Sequence, residues 1–126
     1  MIRIKEIAFT GYPVTDVARA RRFYEGVLQL KPSVEFKHDD KYWIEYDVGP
    51  STLAISNMST DKWKSSADGP CCTLEVEDFD AAINSLRDQN VKFAMEPMDS
   101  GVCRMAYIHD PDGNSLGIHK RRPNGG

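Results

Sequence analysis

The sequence predicts an α+β fold made of two βαβββ modules, and three observations predict it. The run Val14-Thr15-Asp16-Val17-Ala18-Arg19-Ala20 matches Val76-Glu77-Asp78-Phe79-Asp80-Ala81-Ala82 at an offset of half the 126-residue chain. In both halves a strand-like apolar run precedes the match, and an Asp followed by a helix-period segment completes it. After each helical segment come three short runs rich in β-branched and aromatic residues.

The elements follow in order. The first strand is expected over Ile7–Val14. A helix is expected over Val17–Leu28, with Val17, Ala20, Tyr24, Val27 and Leu28 on one face and Thr15 or Asp16 as cap. Strands are then expected over Ser33–Lys37, Tyr42–Val48 and Thr52–Ser56, broken at His38-Asp39-Asp40 and at Gly49-Pro50. The polar stretch 57–70 lacks periodicity and reads as a connector whose one large apolar residue is Trp63. The second module repeats the order. Its elements are a strand over Cys71–Val76, a helix over Phe79–Gln89 capped by Asp78, and strands over Val91–Met95, Val102–His109 and Ser115–His119. Asp110-Pro111-Asp112-Gly113-Asn114 is a strong turn signal before the last strand. The whole of 1–126 is therefore one domain of two pseudo-repeats, about 1–60 and 68–120, with a flexible tail over 120–126.

Composition narrows the class. About 40% of the residues are apolar, enough for a core without disulfide staples. A net charge of −3 argues against nucleic acid or an anionic membrane as the main partner. No apolar run approaches the ~20 residues of a membrane span, and no secretory leader is visible at Met1, so a cytoplasmic location is expected. Cys71, Cys72 and Cys103 show no CxxC spacing, and adjacent residues on a strand face opposite ways, so reduced thiols are expected.

Val14-x-Asp16 followed by Ala20-x-x-Phe23-Tyr24-x-x-Val27-Leu28, its partial repeat Val76-x-Asp78 with Ala81-Ala82, and the Asp110-Pro111-Asp112-Gly113-Asn114 turn occur in an order that resembles the vicinal oxygen chelate superfamily. That group includes glyoxalase I, bleomycin-resistance proteins and extradiol dioxygenases. The resemblance implies that the two modules curl into a half-open barrel around a cavity. In metal-dependent members four inward side chains hold one divalent ion. The resemblance places those four positions on Phe9, Ala54, Cys71 and Gly117. Phe, Ala and Gly offer no donor, and one thiol is a poor site for a hard divalent ion, so the inherited metal site is expected to be absent. The resemblance also implies Gly where this chain has Gln29, so the first helix needs a different ending, for which Gly26 and Pro32 are the candidates.

Strand alternation gives the inward-facing set. A hairpin through Gly49-Pro50 pairs Glu45 with Ala54 and Trp43 with Ser56. The expected ligand-binding residues are Phe9, Trp43, Glu45, Thr52, Ser56, Cys71, Thr73, Met105, Tyr107 and His119, with Trp63 as lid or anchor. Glu45, Glu75 and His119 are the candidates for acid–base work or for a displaced metal site. This aromatic, sulfur-bearing lining suits a small organic molecule with a planar part and a cationic or hydroxyl group. The expected function is thus binding of such a molecule, with no cofactor and a divalent metal only through displaced ligands. The alternatives are a metal-dependent lyase, isomerase or dioxygenase of the same superfamily, and a non-catalytic interaction module. The sequence is thus compatible with an enzyme and with a binding protein. The curved modules leave sheet edges uncovered, so a homodimer is expected.

Overall fold

A computed structural model describes residues 1–122. The elements are β1 (Thr10–Pro13), α1 (Val17–Arg21), β2 (Pro32–His38), β3 (Lys41–Val48), β4 (Ser51–Ser56), β5 (Cys72–Glu75), α2 (Phe79–Asp88), β6 (Phe93–Asp99), β7 (Cys103–His109) and β8 (Ser115–Arg121). Two compact units result, divided between Lys64 and Ser65, inside the expected connector.

The first unit is a four-stranded sheet of order β1-β4-β3-β2, parallel at β1–β4 and antiparallel elsewhere. Asp16 is extended and its Oδ1 accepts the Arg19 N–H at 3.0 Å, which closes the first turn of α1. Beyond Arg21 the helix widens into a π-helical segment, Arg22–Val27, where Leu28 N–H reaches back five residues to Phe23 O at 2.9 Å. The core is aromatic. Tyr24 lies 5.1 Å edge-on to Phe23 and 6.1 Å from Tyr46 in a stack, with Tyr12 beside it and Ile44, Leu53 and Ile55 around them. The buried Tyr46 hydroxyl donates to Glu25 at 2.8 Å, and Arg21 joins Glu25 to Glu35.

The second unit repeats the topology as β5-β8-β7-β6, again parallel only at its first pair. Asp78 caps α2 by accepting from Ala81 N–H at 3.0 Å, the counterpart of Asp16, 62 residues on. Its core is mostly aliphatic: Ile83, Leu86, Ala106, Ile108, Leu116 and Ile118, with Phe79. The turn before β8 is built by Asp110. Its Oδ1 accepts the N–H groups of Asp112 and Asn114, its Oδ2 accepts the Asn114 amide, and Gly113 takes φ +89°.

Several boundaries differ from expectation. β1 covers only Thr10–Pro13, because its partner β4 begins at the Gly49-Pro50 turn and leaves Ile7 with nothing to pair. Residues 1–9 are exposed. Helix one is α only as far as Arg21. Gly26 lies inside the π-helical segment and does not end it; Gln29 does so by taking φ +59° itself. β6 runs longer than expected, with irregular register around Pro97, which an edge strand tolerates. Lys120 and Arg121 are ladder residues of β8 rather than tail, and positions 123–126 of the expected tail lie outside the described residues.

Candidate functional site

Alternation along each sheet separates a helix-packed face from an opposite face, and the candidate residues lie on the opposite faces. In the first unit the ladder pairs Trp43 with Ser56, Glu45 with Ala54 and Asp47 with Thr52, the register that the Gly49-Pro50 hairpin predicts. β2 adds Phe36 opposite Trp43 and Val34 opposite Glu45, and β1 adds Gly11 opposite Ala54.

Three aromatic rings gather there. Phe9 meets Trp43 edge to face, centroids 4.9 Å apart and planes at 86°. A Cβ on Gly11 would stand 3.2 Å from Trp63 Cη2 and 3.5 Å from Phe9 Cε1, so the missing side chain lets both rings lie against this strand. The Trp43 indole N–H donates to Glu45 Oε2 at 2.8 Å, which fixes the ring and leaves Glu45 Oε1 for another donor. Exposure shows how open the face is: Phe9 is 45%, Val34 47%, Phe36 56% and Trp63 36% exposed. Trp63 is anchored, since its N–H closes a turn on Ser59 O at 2.8 Å, and its ring lies over Gly11.

In the second unit the face carries two rows of neighbours. Glu75, His119 and Met105 form one; Thr73, Gly117 and Tyr107 form the other, with Met95 paired to Tyr107. Glu75 Oε1 lies 2.5 Å from His119 Nδ1, and Glu75 Oε2 accepts the Arg121 N–H at 2.7 Å. The Arg121 N–H and then the His119 contact hold the Glu75 carboxyl below its ordinary value.

Two expected site residues are placed otherwise. Ser56 is buried, with its Oγ donating to Tyr42 O at 2.7 Å and accepting Met58 N–H at 3.0 Å, so it serves the backbone. Cys71 lies just before β5 and outside the ladder. The sequence reading missed Val34, Phe36 and Met95, because single alternating runs do not say which edge strand joins which row. The signal was present in the β2 alternation, whose apolar members share a face with Trp43 once the register is known.

The four family metal positions do not fit a metal. Ala54 is fully buried, and a Cβ at Gly117 would fall 2.6 Å from Thr73 Oγ1 and 2.9 Å from its methyl. Among the described residues no group of three or more His, Cys, Asp or Glu side chains could hold an ion. His38-Asp39-Asp40 is a solvated turn, with His38 and Asp39 both mostly exposed at a 3.7 Å separation. Cys71, Cys72 and Cys103 are unbridged, and burial pushes the Cys72 thiol up. No helix among the described residues is long and apolar enough to cross a membrane.

These modules and their order of elements define a protein class. Residues 4–118 match the Glyoxalase/Bleomycin resistance protein/Dioxygenase superfamily, and the chain belongs to it. Among solved structures it is similar to TnmS3, an antibiotic binding protein from Streptomyces sp. CB03234, at 21% identity and TM-score 0.80, covering 97% of this chain and all of that one. It is similar also to the trypanothione-dependent glyoxalase I of Leishmania major, at 22% identity and TM-score 0.75, over 93% of this chain and 87% of that one. A glyoxalase family protein from Bacillus anthracis matches at 14% identity and TM-score 0.76, over 97% and 99% of the two chains. No curated protein sequence matches. At these identities the neighbours establish the fold alone.

Proposed function

We propose that this chain binds a small planar organic molecule, with the aromatic face of the first unit as its main contact surface and without a metal at the family positions. The observation that supports this most is the Phe9–Trp43–Trp63 gathering over Gly11, with the Trp43 ring fixed by Glu45. Open aromatic faces beside a carboxylate suit a flat ligand that carries a cationic or hydroxyl group. The fold shared with an antibiotic binding protein is consistent with a cargo of that size. Binding alone, by sequestration, needs no further chemistry.

A metal-dependent enzyme using displaced ligands is the weaker reading. Within the second unit Glu75 and His119 are bonded to each other, and the described residues bring no third donor to them. We also propose that the chain works as a homodimer, since Ile2, Ile4 and Ile7 are exposed in the segment before β1, and β1 is an edge strand of its sheet. Light scattering at micromolar concentration should return twice the chain mass; a monomer refutes it.

Tryptophan fluorescence tests the main reading. Titration with ethidium, a planar cation, and with coumarin, a neutral planar molecule, should quench Trp43 and Trp63. Trp43→Ala should remove saturable binding of both. Absence of saturable quenching by either probe up to millimolar concentration overturns the proposal.

A further inference from the structure

The second unit holds a polar pair that the aromatic face does not use. We propose that His119 Nε2, oriented by Glu75, is an acceptor site for the hydroxyl of an aromatic hydroxy compound. Glu75 and His119 are opposite one another in the β5–β8 ladder, so the backbone register itself brings them together. The carboxylate is held at both oxygens, one by the Arg121 N–H at 2.7 Å and the other by His119 Nδ1 at 2.5 Å. An ionised carboxylate only accepts, so Nδ1 must carry the hydrogen. The neutral ring then has its lone pair on Nε2, which makes no hydrogen bond among the described residues.

The surroundings favour a specific contact over a chance surface pair. The His119 side chain is only 19% exposed, so the ring cannot swing freely into water. Its neighbour across β7 is Met105, which offers no competing donor. Beside it the Thr73 side chain lies over Gly117, its Oγ1 only 2.6 Å from where a Cβ would stand, and Tyr107 is paired with Gly117 on the other side. An aromatic ring can lie against Tyr107 and the thioethers of Met95 and Met105, its hydroxyl aimed at Nε2. The other titratable side chains on this face are Cys103, Tyr107 and His109 from β7 and Arg121 from β8, and none is bonded to the ring. A hydroxyl donor is recognised, and a methyl ether of the same shape leaves Nε2 unpaired.

The test compares 2-naphthol with 2-methoxynaphthalene by calorimetry at about pH 8.5, above the ordinary imidazole range. The naphthol should bind about tenfold more tightly than the ether, the size of one hydrogen bond that only the naphthol can donate. His119→Leu should equalise the two probes. Glu75→Gln should do most of the same, because an amide can accept from the Nδ1–H tautomer or donate to Nδ1 of the Nε2–H tautomer and so no longer selects one. Nitrogen-15 shifts of the wild-type imidazole should report the Nδ1–H tautomer, a readout that needs no variant to fold. An Nε2–H tautomer, equal binding of the two probes, no binding of either, or a preference that survives in His119→Leu would each overturn the proposal. Trp43→Ala should leave the ratio of the two affinities unchanged, which separates this site from the aromatic face of the first unit.

Discussion

The two units share a strand order, a parallel first pair and an Asp cap, yet they are built from different side chains. The first has an aromatic core with a buried hydroxyl tied to a carboxylate, and its opposite face is aromatic too. The second has an aliphatic core, and its opposite face carries an imidazole, a carboxylate, thioethers and a phenol. What is repeated is what specifies the backbone: the cap, the hydrophobic period and the turn positions. Positions facing away from the helix are free of that duty and have diverged in chemistry.

Truncating one core residue in each unit gives the largest contrast. Tyr24→Ala removes the ring that touches Phe23, Tyr12 and Tyr46, and should cost about 3–5 kcal/mol; Leu116→Ala should cost about 2–5 kcal/mol. Urea unfolding with residue-resolved hydrogen exchange should show protection lost first in β1–β4 for the former and in β5–β8 for the latter. Loss spread evenly over both units in each variant would show that they do not open separately.

Two glycines facing away from the helices make the next contrast. Gly117→Ala drives a methyl into Thr73, whose Oγ1 would be 2.6 Å away, and should destabilise by about 1–3 kcal/mol. Thr73→Ala should recover most of that loss. At Gly11 the obstacle is the Trp63 indole, 3.2 Å away, on a connector that can shift. Gly11→Ala should cost less than about 1 kcal/mol and move the Trp63 emission to the red.

The pH limbs should divide between the units as well. Burial, then the bond to Glu25, raises the Tyr46 hydroxyl far above its ordinary 10.0. The unfolded chain therefore loses this proton first, and the stability it contributes is present below about pH 10 and falls as pH rises beyond it. Tyr46→Phe should flatten that alkaline limb and cost about 1 kcal/mol at neutral pH. Glu75 has the opposite sign. Its carboxyl is lowered from 4.5, so its contribution is present above that value and is lost as pH falls through the lowered one. Glu75→Gln should flatten the acid limb and leave the alkaline one alone. Urea midpoints measured across pH check both.

Much of this was legible in the sequence, for definable reasons. The offset between Asp16 and Asp78 fixed the module repeat, since a cap can serve only at a helix start. The hairpin turn at Gly49-Pro50 fixed the pairing of Trp43 with Ser56 and Glu45 with Ala54. Ser56 misled because alternation assigns a face but cannot say that the backbone itself will claim the hydroxyl. Val34 and Phe36 were missed because an edge strand's neighbours depend on long-range pairing. The bond between Glu75 and His119 joins residues 44 apart, and only the β5–β8 register reveals it.

The smallest effect concerns how the two helices end. Both close with a left-handed residue, Gln29 at φ +59° and Asn90 at φ +60°. After α2 the closure is regular, with Val91 N–H on Leu86 O and Asn90 N–H on Arg87 O, both at 3.0 Å. After the π-helical segment the matching bond runs from Leu30 N–H to Tyr24 O at 3.0 Å, one residue wider because the helix has been widened by one. Asn tolerates this conformation, since its short polar side chain can bond locally; Gln has no such compensation and bears the clash of its Cβ. Glycine relieves that clash but gives the unfolded chain more freedom, which takes back part of the gain. Gln29→Gly should therefore stabilise by about 0.5–1 kcal/mol, and Asn90→Gly should change stability by only a few tenths of that unit. Equal gains at both positions, in urea midpoints, would mean that the Cβ clash common to both sets the strain and that the Asn side chain gives no relief, and the two endings would then be equivalent in energy although one is a residue wider.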